Sequence, residues 1–256
     1  ITGSGKSCIA CALSKKDLTV CIGKGRKVEL QGEGVQSGCK SVTREPSITP
    51  DNGTKMIYCD CPGFEDTEGF LQEIINSFVM DCLFKKSDES QRIKFKIMLV
   101  ASAPEIDAQR GKAILQSILR LEEMFTNHDQ LKRGIGLIIT KGDNDITGKD
   151  YIDYINDNPP PKLLEWCQFF LENTDRIFLF PKPPRSEEHN KYHFNDRDNL
   201  IRFLSTNPLV DPDHQVALSE TARLKMKNLR SIHSQNVLDK IQTLWVKISA
   251  QFRKEQ

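Results

Sequence analysis

A glycine-rich segment near the start of the chain has the residue types of a phosphate-binding loop. It reads Gly3-Ser4-Gly5-Lys6-Ser7, the last part of the pattern G-x-x-x-x-G-K-S. Glycines let the backbone wrap closely around a phosphate, and the N–H groups at the start of the following helix then face the anion. A chance glycine turn is the alternative for this segment taken alone. The expected phosphate contacts are Thr2, Gly3, Ser4, Gly5, Lys6, Ser7 and Cys8.

Two side chains of this segment have separate chemical roles. Lys6 is expected to reach the β- and γ-phosphates and to support hydrolysis, because its ammonium group neutralises phosphate charge. Ser7 presents a neutral hydroxyl oxygen of the kind that Mg²⁺ accepts beside phosphate oxygens. The segment therefore predicts a nucleotide phosphate site that includes magnesium.

A second motif, Asp60-Cys61-Pro62-Gly63, follows a predicted strand over residues 56–59. A carboxylate at the carboxyl end of a strand can hold Mg²⁺ through water, so Asp60 is an expected metal ligand. Gly63 can turn its N–H toward the γ-phosphate, which makes it an expected catalytic residue. An ordinary turn is the alternative for this cluster alone. Its position after the phosphate loop favours the magnesium site.

A third motif, Thr140-Lys141-Gly142-Asp143, ends the most apolar predicted strand. Asp143 can accept hydrogen bonds from the ring N–H and exocyclic amine of guanine, which adenine does not offer. The stem of Lys141 can lie along the base. The expected base contacts are therefore Thr140, Lys141 and Asp143, and the expected ligands are GTP and GDP. A solvated turn is one alternative, and an ATP-using enzyme would leave this motif unexplained.

The elements around these motifs follow the pattern of a parallel sheet wrapped by helices, because short apolar runs alternate with amphipathic stretches. The predicted strands cover residues 56–59, 96–101, 136–140 and 176–180, and the predicted helices cover residues 70–84 and 111–125. Ligands bind at the carboxyl ends of strands in such sheets, which is where the second and third motifs stand. Prolines at 159–161 and 181–184 predict loops. The predicted fold class is α/β.

The sequence pattern changes near residue 208, after which no strand candidate follows. We predict a nucleotide-binding domain over residues 1–207 and a helical extension over residues 208–256. The apolar stripe of the extension is too short for a coiled coil, so packing on the domain or on a helix beyond residue 256 is expected. We also expect the strand that feeds the phosphate loop to precede Ile1, so that the chain alone is less stable than one extended upstream. The stripe consists of Val237, Ile241, Leu244, Ile248 and Phe252.

The overall composition limits which other classes of function are expected for this chain. The chain has 256 residues, of which 38% are hydrophobic, enough for one large core. Its 36 Lys and Arg against 35 Asp and Glu leave a net charge of +1, so no nucleic-acid partner is expected. No apolar run reaches the roughly 18 residues of a membrane span. A cytoplasmic location is expected, with any membrane association through segments outside this chain. The eight cysteines are expected to be reduced and not to bind zinc.

With these motifs in this order, the chain resembles the TRAFAC class of P-loop GTPases. Within it, the chain is similar to the septin-like group that includes the AIG-type immunity-associated GTPases called GIMAPs and the chloroplast Toc receptors. The resemblance spans about residues 1–204. It implies a three-layer P-loop GTPase domain with a mainly parallel central sheet and a helical extension.

The resemblance also assigns a first switch and a fifth motif. Ser41-Val42-Thr43 is similar to the family's first switch, which implies that Thr43 closes over magnesium and the γ-phosphate as a catalytic residue and metal ligand. Ser37 and Ser41 offer the same hydroxyl. The fifth, base-contact motif should follow the strand at residues 176–180. The usual pattern there is a small residue or Asn, then Lys, then Ala; this chain offers Lys182 instead, as the expected base contact. Cys61, where threonine is usual, is a further departure.

Phe64 bears on turnover, because Ras-like enzymes have a glutamine there that orients the attacking water. We expect slow intrinsic GTP hydrolysis, supported by groups supplied in trans. The family commonly forms homo-oligomers through the nucleotide face, which points to a second subunit. The expected function is a nucleotide-dependent switch or assembly unit. The alternative is a non-catalytic GTP- or GDP-binding scaffold that oligomerises.

Overall fold

The described part of the chain contains both strands and helices, and helices separate its last three strands. The structure is a computed structural model that describes residues 4–14, 17–22, 28–32, 47–51, 56–61, 75, 95–125, 127–183, 191–206, 239–247 and 250. Its strands are β1 (Thr19–Ile22), β2 (Val28–Gln31), β3 (Ser47–Pro50), β4 (Ile57–Asp60), β5 (Ile97–Ser102), β6 (Ile135–Gly142) and β7 (Ile177–Pro181). Its helices are α1 (Lys6–Leu13), α2 (Ala103–Gln109), α3 (Lys112–Met124), α4 (His128–Gly134), α5 (Gly148–Asn156), α6 (Leu164–Glu172) and α7 (Arg197–Ser205).

A three-stranded parallel sheet is formed by β5, β6 and β7, with β6 in the middle. Ser102 of β5 pairs with Thr140 of β6, and Gly142 of β6 pairs with Pro181 of β7. The three strands therefore end at one edge of the sheet. Residues 135–140 are all buried, as expected for a parallel strand that is covered on both faces.

The two faces of the sheet contribute to different apolar clusters. Side chains alternate across a strand, so Leu137 and Ile139 pack with helices α2 to α6, whereas Ile138 points to the opposite face. The second face packs against α1 and α7, through residues such as Ile9 and Phe203. Helices thus cover both faces, and the chain belongs to the α/β class.

Two antiparallel pairs, β1 with β2 and β3 with β4, accompany the parallel sheet. Within the described ranges no ladder joins β4 to β5. Tyr58 of β4 is buried in the same cluster as Ile9 of α1, and its hydroxyl donates to Asp51, 3.1 Å away, just after β3. These contacts hold β4 against α1, so the end of β4 lies near the start of that helix.

Helices α2 and α5 begin beside the carboxyl ends of β5 and β6 with capping boxes. Ser102 donates both its hydroxyl and its backbone N–H to Glu105, at 2.7 and 3.2 Å. Thr147 does the same with Asp150, at 2.6 and 2.7 Å. These bonds lower the pKa of Asp150, with the Thr147 hydroxyl as the largest cause. Because such caps define where a helix starts, they determine the lengths of the loops at this edge.

The predicted strands are confirmed at four places, with ends that move by one or two residues. Two loop predictions are wrong in part. Pro181 is the last residue of β7 and pairs with Gly142, which is possible because this end position needs no ladder donor from proline. Pro161 starts a short 3-10 helix, where its missing N–H has no cost. The helix predicted over 70–84 lies outside the described residues apart from position 75, which is helical.

Part of the predicted helical extension is described. Residues 239–247 are helical, with Leu244 buried and with Trp245 and Val246 exposed. Residues 207–238 lie outside the described ranges, so the predicted boundary at 208 remains a prediction. No described helix combines the length and apolar character that crossing a bilayer requires.

Lys96, just before β5, provides a prediction on stability. Its Nζ lies 3.7 Å from the centre of the Phe203 ring and donates to the Phe203 carbonyl. Burial, and then the nearby Arg176, lower the pKa of Lys96 from 10.5 to about 8. Between these two values the unfolded chain binds a proton that the folded chain does not, so the stability contributed at this site rises with pH. Below about pH 8 the folded protein carries the full cost of the buried charge.

We therefore expect Lys96→Met to be more stable than the wild type at pH 7, by about 1 kcal/mol, since partial exposure screens the charge. The Phe203 carbonyl keeps a partner in this variant, because the Thr206 hydroxyl donates to it at 2.9 Å. Urea unfolding of both proteins at several pH values measures the difference, which should shrink as the pH rises from 8 toward 10.5. If the difference in unfolding free energy between the two proteins does not change with pH, the lowered pKa of Lys96 is not its cause.

Candidate functional site

The phosphate-loop segment leads directly into α1. Gly5 precedes this helix with a φ of 89°, and its carbonyl accepts the Ile9 N–H at 3.1 Å. A residue with a side chain is strained at that φ, so glycine suits the position. Ser4 is fully buried before it. The local sequence thus places the start of a helix, with its N–H groups and positive dipole end, directly after the loop.

The first two motifs meet through a short hydrogen bond. The Ser7 hydroxyl donates to the Asp60 carboxylate at 2.6 Å, although the two residues are 53 positions apart. Ser7 lies in the first turn of α1, and Asp60 is the last residue of β4. A hydroxyl bound to a carboxylate at this distance is a strong, charge-assisted contact. The structure therefore brings together two of the three residues that the sequence predicts as magnesium ligands, and the third, Thr43, lies outside the described residues.

This pair of oxygens suits a hard divalent cation. Mg²⁺ is usually bound through one or two protein oxygens together with water and phosphate oxygens, instead of by a full cage of side chains. Ser7 and Asp60 offer one hydroxyl and one carboxylate, without a sulfur or nitrogen donor. Both would hold the cation next to the N-terminus of α1, where it would neutralise phosphate charge.

The third motif is attached to the phosphate loop by a second long-range bond. The Thr140 hydroxyl donates to the Ser4 carbonyl at 2.6 Å, across 136 residues of sequence. Thr140 is almost fully buried, and its hydroxyl also lies 3.3 Å from the Ala101 carbonyl of β5. A buried polar group is costly unless it is hydrogen-bonded, so this contact defines the spacing between loop and sheet. Thr140 therefore has a positioning role in addition to its predicted place in the base motif.

The rest of the third motif forms the irregular end of β6, where the pairing with β7 shifts register, and leads into a turn. Lys141 has a φ of 58°, in the left-handed region that residues with side chains rarely adopt. A Cβ at Gly142 would lie 2.7 Å from Leu179 Cδ1 and 3.1 Å from the Tyr151 hydroxyl, so a larger residue there would require these side chains to shift. The Asp143 N–H donates to the Tyr151 hydroxyl at 3.3 Å. The side chains of Lys141 and Asp143 are exposed at the carboxyl edge of the sheet.

Lys182 follows β7 and lies next to this turn. Its backbone N–H donates to the Gly142 carbonyl at 3.0 Å, and its side chain is exposed. The Tyr192 hydroxyl donates to the Pro181 carbonyl at 2.7 Å and holds the end of β7 from the other side. The predicted fifth motif thus stands beside the predicted base motif.

No protein-family model matches this chain, and a search of curated proteins found none that matches it.

Two thiols of the site remain protonated near neutral pH. Burial raises the pKa of Cys8 to about 11, and the neighbouring Cys11 and Asp60 act in the same direction. A hydrogen bond with Cys59, together with burial, raises the pKa of Cys61 well above its usual value. Neutral thiols do not compete with Ser7 and Asp60 for a hard cation, which favours oxygen ligands.

Four of the predicted site residues lie outside the described residues: Thr2, Gly3, Thr43 and Gly63. The other predicted residues lie at the carboxyl edge of the parallel sheet or at the start of α1, except Asp60, which ends β4 and contacts Ser7. Sequence analysis missed Tyr151, because its position on the buried stripe of α5 is typical of a core residue. It also missed Arg197, which donates to the Ala12 and Leu13 carbonyls at 3.2 and 3.1 Å and so stabilises the C-terminal end of α1. A cation at a helix C-terminus is favourable, but no pattern links it to a helix so distant in sequence.

The left-handed backbone at Lys141 allows its effect on stability to be measured separately from its proposed effect on GTP binding. Relief of this conformation is worth about 1–2 kcal/mol, and the added freedom of glycine in the unfolded chain offsets part of it. We expect Lys141→Gly to raise the unfolding free energy by up to about 1 kcal/mol. Loss of the lysine stem should weaken GTP binding about fivefold.

Arg110 offers a matched control, since it is exposed and has a φ of 46° at the end of α2. We expect Arg110→Gly to stabilise the protein by a similar amount and to leave GTP binding unchanged. Thermal unfolding and a binding titration of both variants measure the two effects. Equal weakening of GTP binding in both would contradict a role of Lys141 at the base.

Proposed function

We propose that this chain binds GTP and GDP with Mg²⁺ and hydrolyses GTP slowly, as a nucleotide-dependent switch or assembly unit. The observation that carries the proposal is a pair of long-range hydrogen bonds at residues 4–7: the Ser7 hydroxyl donates to Asp60, and the Thr140 hydroxyl donates to the Ser4 carbonyl. Three motifs that are far apart in sequence thereby converge on one edge of a parallel sheet. Convergence at this edge is typical of nucleotide sites in α/β proteins.

The roles of the residues follow from their chemistry. The start of α1 and Lys6 would bind the phosphates. Ser7 and Asp60 would hold Mg²⁺, which supplies charge neutralisation at the phosphates when it is bound. Asp143 would bind guanine, and the stems of Lys141 and Lys182 would lie along the base.

A P-loop GTPase domain with a three-layer arrangement is the fold that agrees with these roles. The helices on both faces of β5, β6 and β7 support this proposal. In the same proposal, residues 1–207 form the nucleotide domain and residues 208–256 form a helical extension. If the chain is related to the septin-like or AIG-type GTPases, we also expect it to form homo-oligomers through the nucleotide face.

A non-catalytic scaffold is the second candidate, favoured by Phe64 in the sequence after the second motif. A phenyl ring does not orient water by hydrogen bonding, and the glutamine that does so in Ras-like enzymes is absent at this position. Both candidates require guanine-nucleotide binding, and they differ in turnover.

The test is a binding titration of the full-length protein with GTP, GDP and ATP, with Mg²⁺ and with a chelator. We expect both guanine nucleotides to bind with Mg²⁺ and ATP to bind at least about 100-fold more weakly. Equal affinity for ATP, or no nucleotide binding, would refute the proposal. Phosphate release from bound GTP in a single-turnover assay then separates the switch from the scaffold.

A further inference from the structure

Two cysteines flank Asp60, and their sulfur atoms are in contact. Cys59 Sγ lies 3.6 Å from Cys61 Sγ, and the Cys61 thiol also lies 3.7 Å from the Cys59 carbonyl. Cys59 is exposed in β4. Cys61 directly follows that strand and packs partly against the apolar cluster that Leu137 and Ile139 form with helices α2 to α6. By contrast, Cys11 and Cys167 are buried. The Cys59–Cys61 pair therefore combines contact between two thiols with access for a reagent from solvent.

We propose that Cys59 and Cys61 form a dithiol oxidation site, whose oxidant is a peroxide and whose product is an intramolecular disulfide that disrupts the Ser7–Asp60 contact. The disulfide would act as a redox switch on magnesium and nucleotide binding. That consequence rests on the proposed function, whereas the formation of the bond does not.

The chemistry balances with one molecule of hydrogen peroxide. The exposed Cys59 sulfur attacks a peroxide oxygen, the O–O bond breaks, and a sulfenic acid and one water form. The Cys61 sulfur then attacks the sulfenic sulfur, the S–O bond breaks, and the S–S bond and a second water form. The two sulfurs lose two electrons, which the peroxide gains, and both thiol protons end in water.

The geometry couples this bond to Asp60. On a β-strand, residues i and i+2 face the same side and their Cβ atoms are separated by about the two-residue advance of 6.6 Å, whereas a disulfide joins Cβ atoms about 3.5–4.5 Å apart. Asp60 is the residue between the two cysteines, so closing the disulfide must shorten the backbone at Asp60 itself. A contact of 2.6 Å between Ser7 and Asp60 does not tolerate a shift of this size. Oxidation should therefore displace the carboxylate from Ser7.

The first experiment tests the covalent step by treating the full chain with hydrogen peroxide, alkylating the remaining thiols and mapping peptides by mass spectrometry. Trypsin alone leaves Cys59, Cys61 and Cys82 in one peptide, but the glutamates at 65, 68 and 73 let a Glu-specific protease remove Cys82. We expect a peptide with Cys59 and Cys61 that has lost two hydrogen atoms and that recovers them with dithiothreitol. Alkylation or over-oxidation of both thiols under these conditions would overturn the proposal.

The second experiment tests the coupling in two ways, of which the first is independent of nucleotide. Hydrogen exchange of peptides that cover α1 and β4 should become faster on oxidation, because the bond between Ser7 and Asp60 is lost. GTP binding with Mg²⁺ should become roughly tenfold weaker and should recover on reduction.

The Cys59→Ser variant should keep normal GTP binding and lose the response to peroxide. Cys21→Ser, a half-buried thiol on β1, is the matched control and should respond like the wild type.

The outcomes separate the two proposals. Failure of the reduced protein to bind guanine nucleotide refutes the proposed function, and the peptide map and hydrogen exchange then still decide whether the disulfide forms and releases Asp60. Formation of the disulfide without a change in hydrogen exchange or GTP affinity overturns the switch.

Discussion

Replacement of Asp143 by alanine is expected to weaken GTP and GDP binding by at least about 100-fold and to leave the weak binding of ATP nearly unchanged. The reason is that the carboxylate accepts two hydrogen bonds that only guanine offers. The Asp143 side chain is exposed and its backbone N–H bond to Tyr151 does not depend on it, so the variant should fold normally. Titration with the three nucleotides in the presence of Mg²⁺ measures the loss.

Two further variants make this result specific. Asp145→Ala removes an exposed carboxylate two residues away and should bind GTP like the wild type. Asp143→Asn exchanges one acceptor for an NH₂ donor, and xanthine has a carbonyl where guanine has its exocyclic amine. The asparagine variant should therefore prefer XTP to GTP. Equal losses of GTP and ATP affinity in Asp143→Ala would indicate a folding defect and count against base recognition.

Replacement of Asp60 by asparagine is expected to weaken Mg²⁺ binding about 10- to 100-fold and to remove most of the magnesium dependence of GTP binding. The amide keeps an acceptor for the Ser7 hydroxyl, so the packing of β4 against α1 is preserved, but its negative charge is gone. GTP titrations with Mg²⁺ and with a chelator give the ratio of affinities, which should approach one in the variant.

Asp153→Asn is the control for this change, because Asp153 is a half-exposed carboxylate on α5 that pairs with Lys149. It should retain the magnesium dependence of the wild type. An Asp60→Asn protein that still gains affinity on addition of Mg²⁺, to the same extent as the wild type, would exclude Asp60 as a metal ligand. Ser7→Ala should also weaken Mg²⁺ binding, since it removes the hydroxyl ligand.

Much of the fold was predictable because the strands of a parallel sheet are buried on both faces and appear as apolar runs. The strand predicted at residues 136–140 is β6, which in the structure begins one residue earlier and extends two residues further into the third motif. Pro181 was the clearest error, since proline suggests a break but is tolerated at the end of an edge strand. Predictions at Thr43 and Gly63 lie outside the described residues and remain predictions.

The sequence by itself determined the chemical types at the site and their order, because a loop that wraps phosphate needs glycines and a cation needs oxygen ligands. Only the tertiary structure decided which of these groups touch. The contacts of Ser7 with Asp60 and of Thr140 with Ser4 join residues 53 and 136 positions apart, and no local pattern encodes such distances. The same holds for Tyr151 beneath Asp143 and for the left-handed backbone at Lys141, which arises where β6 ends and the chain must turn toward α5. Local periodicity reports which face of an element is buried, whereas long-range packing decides what that face meets.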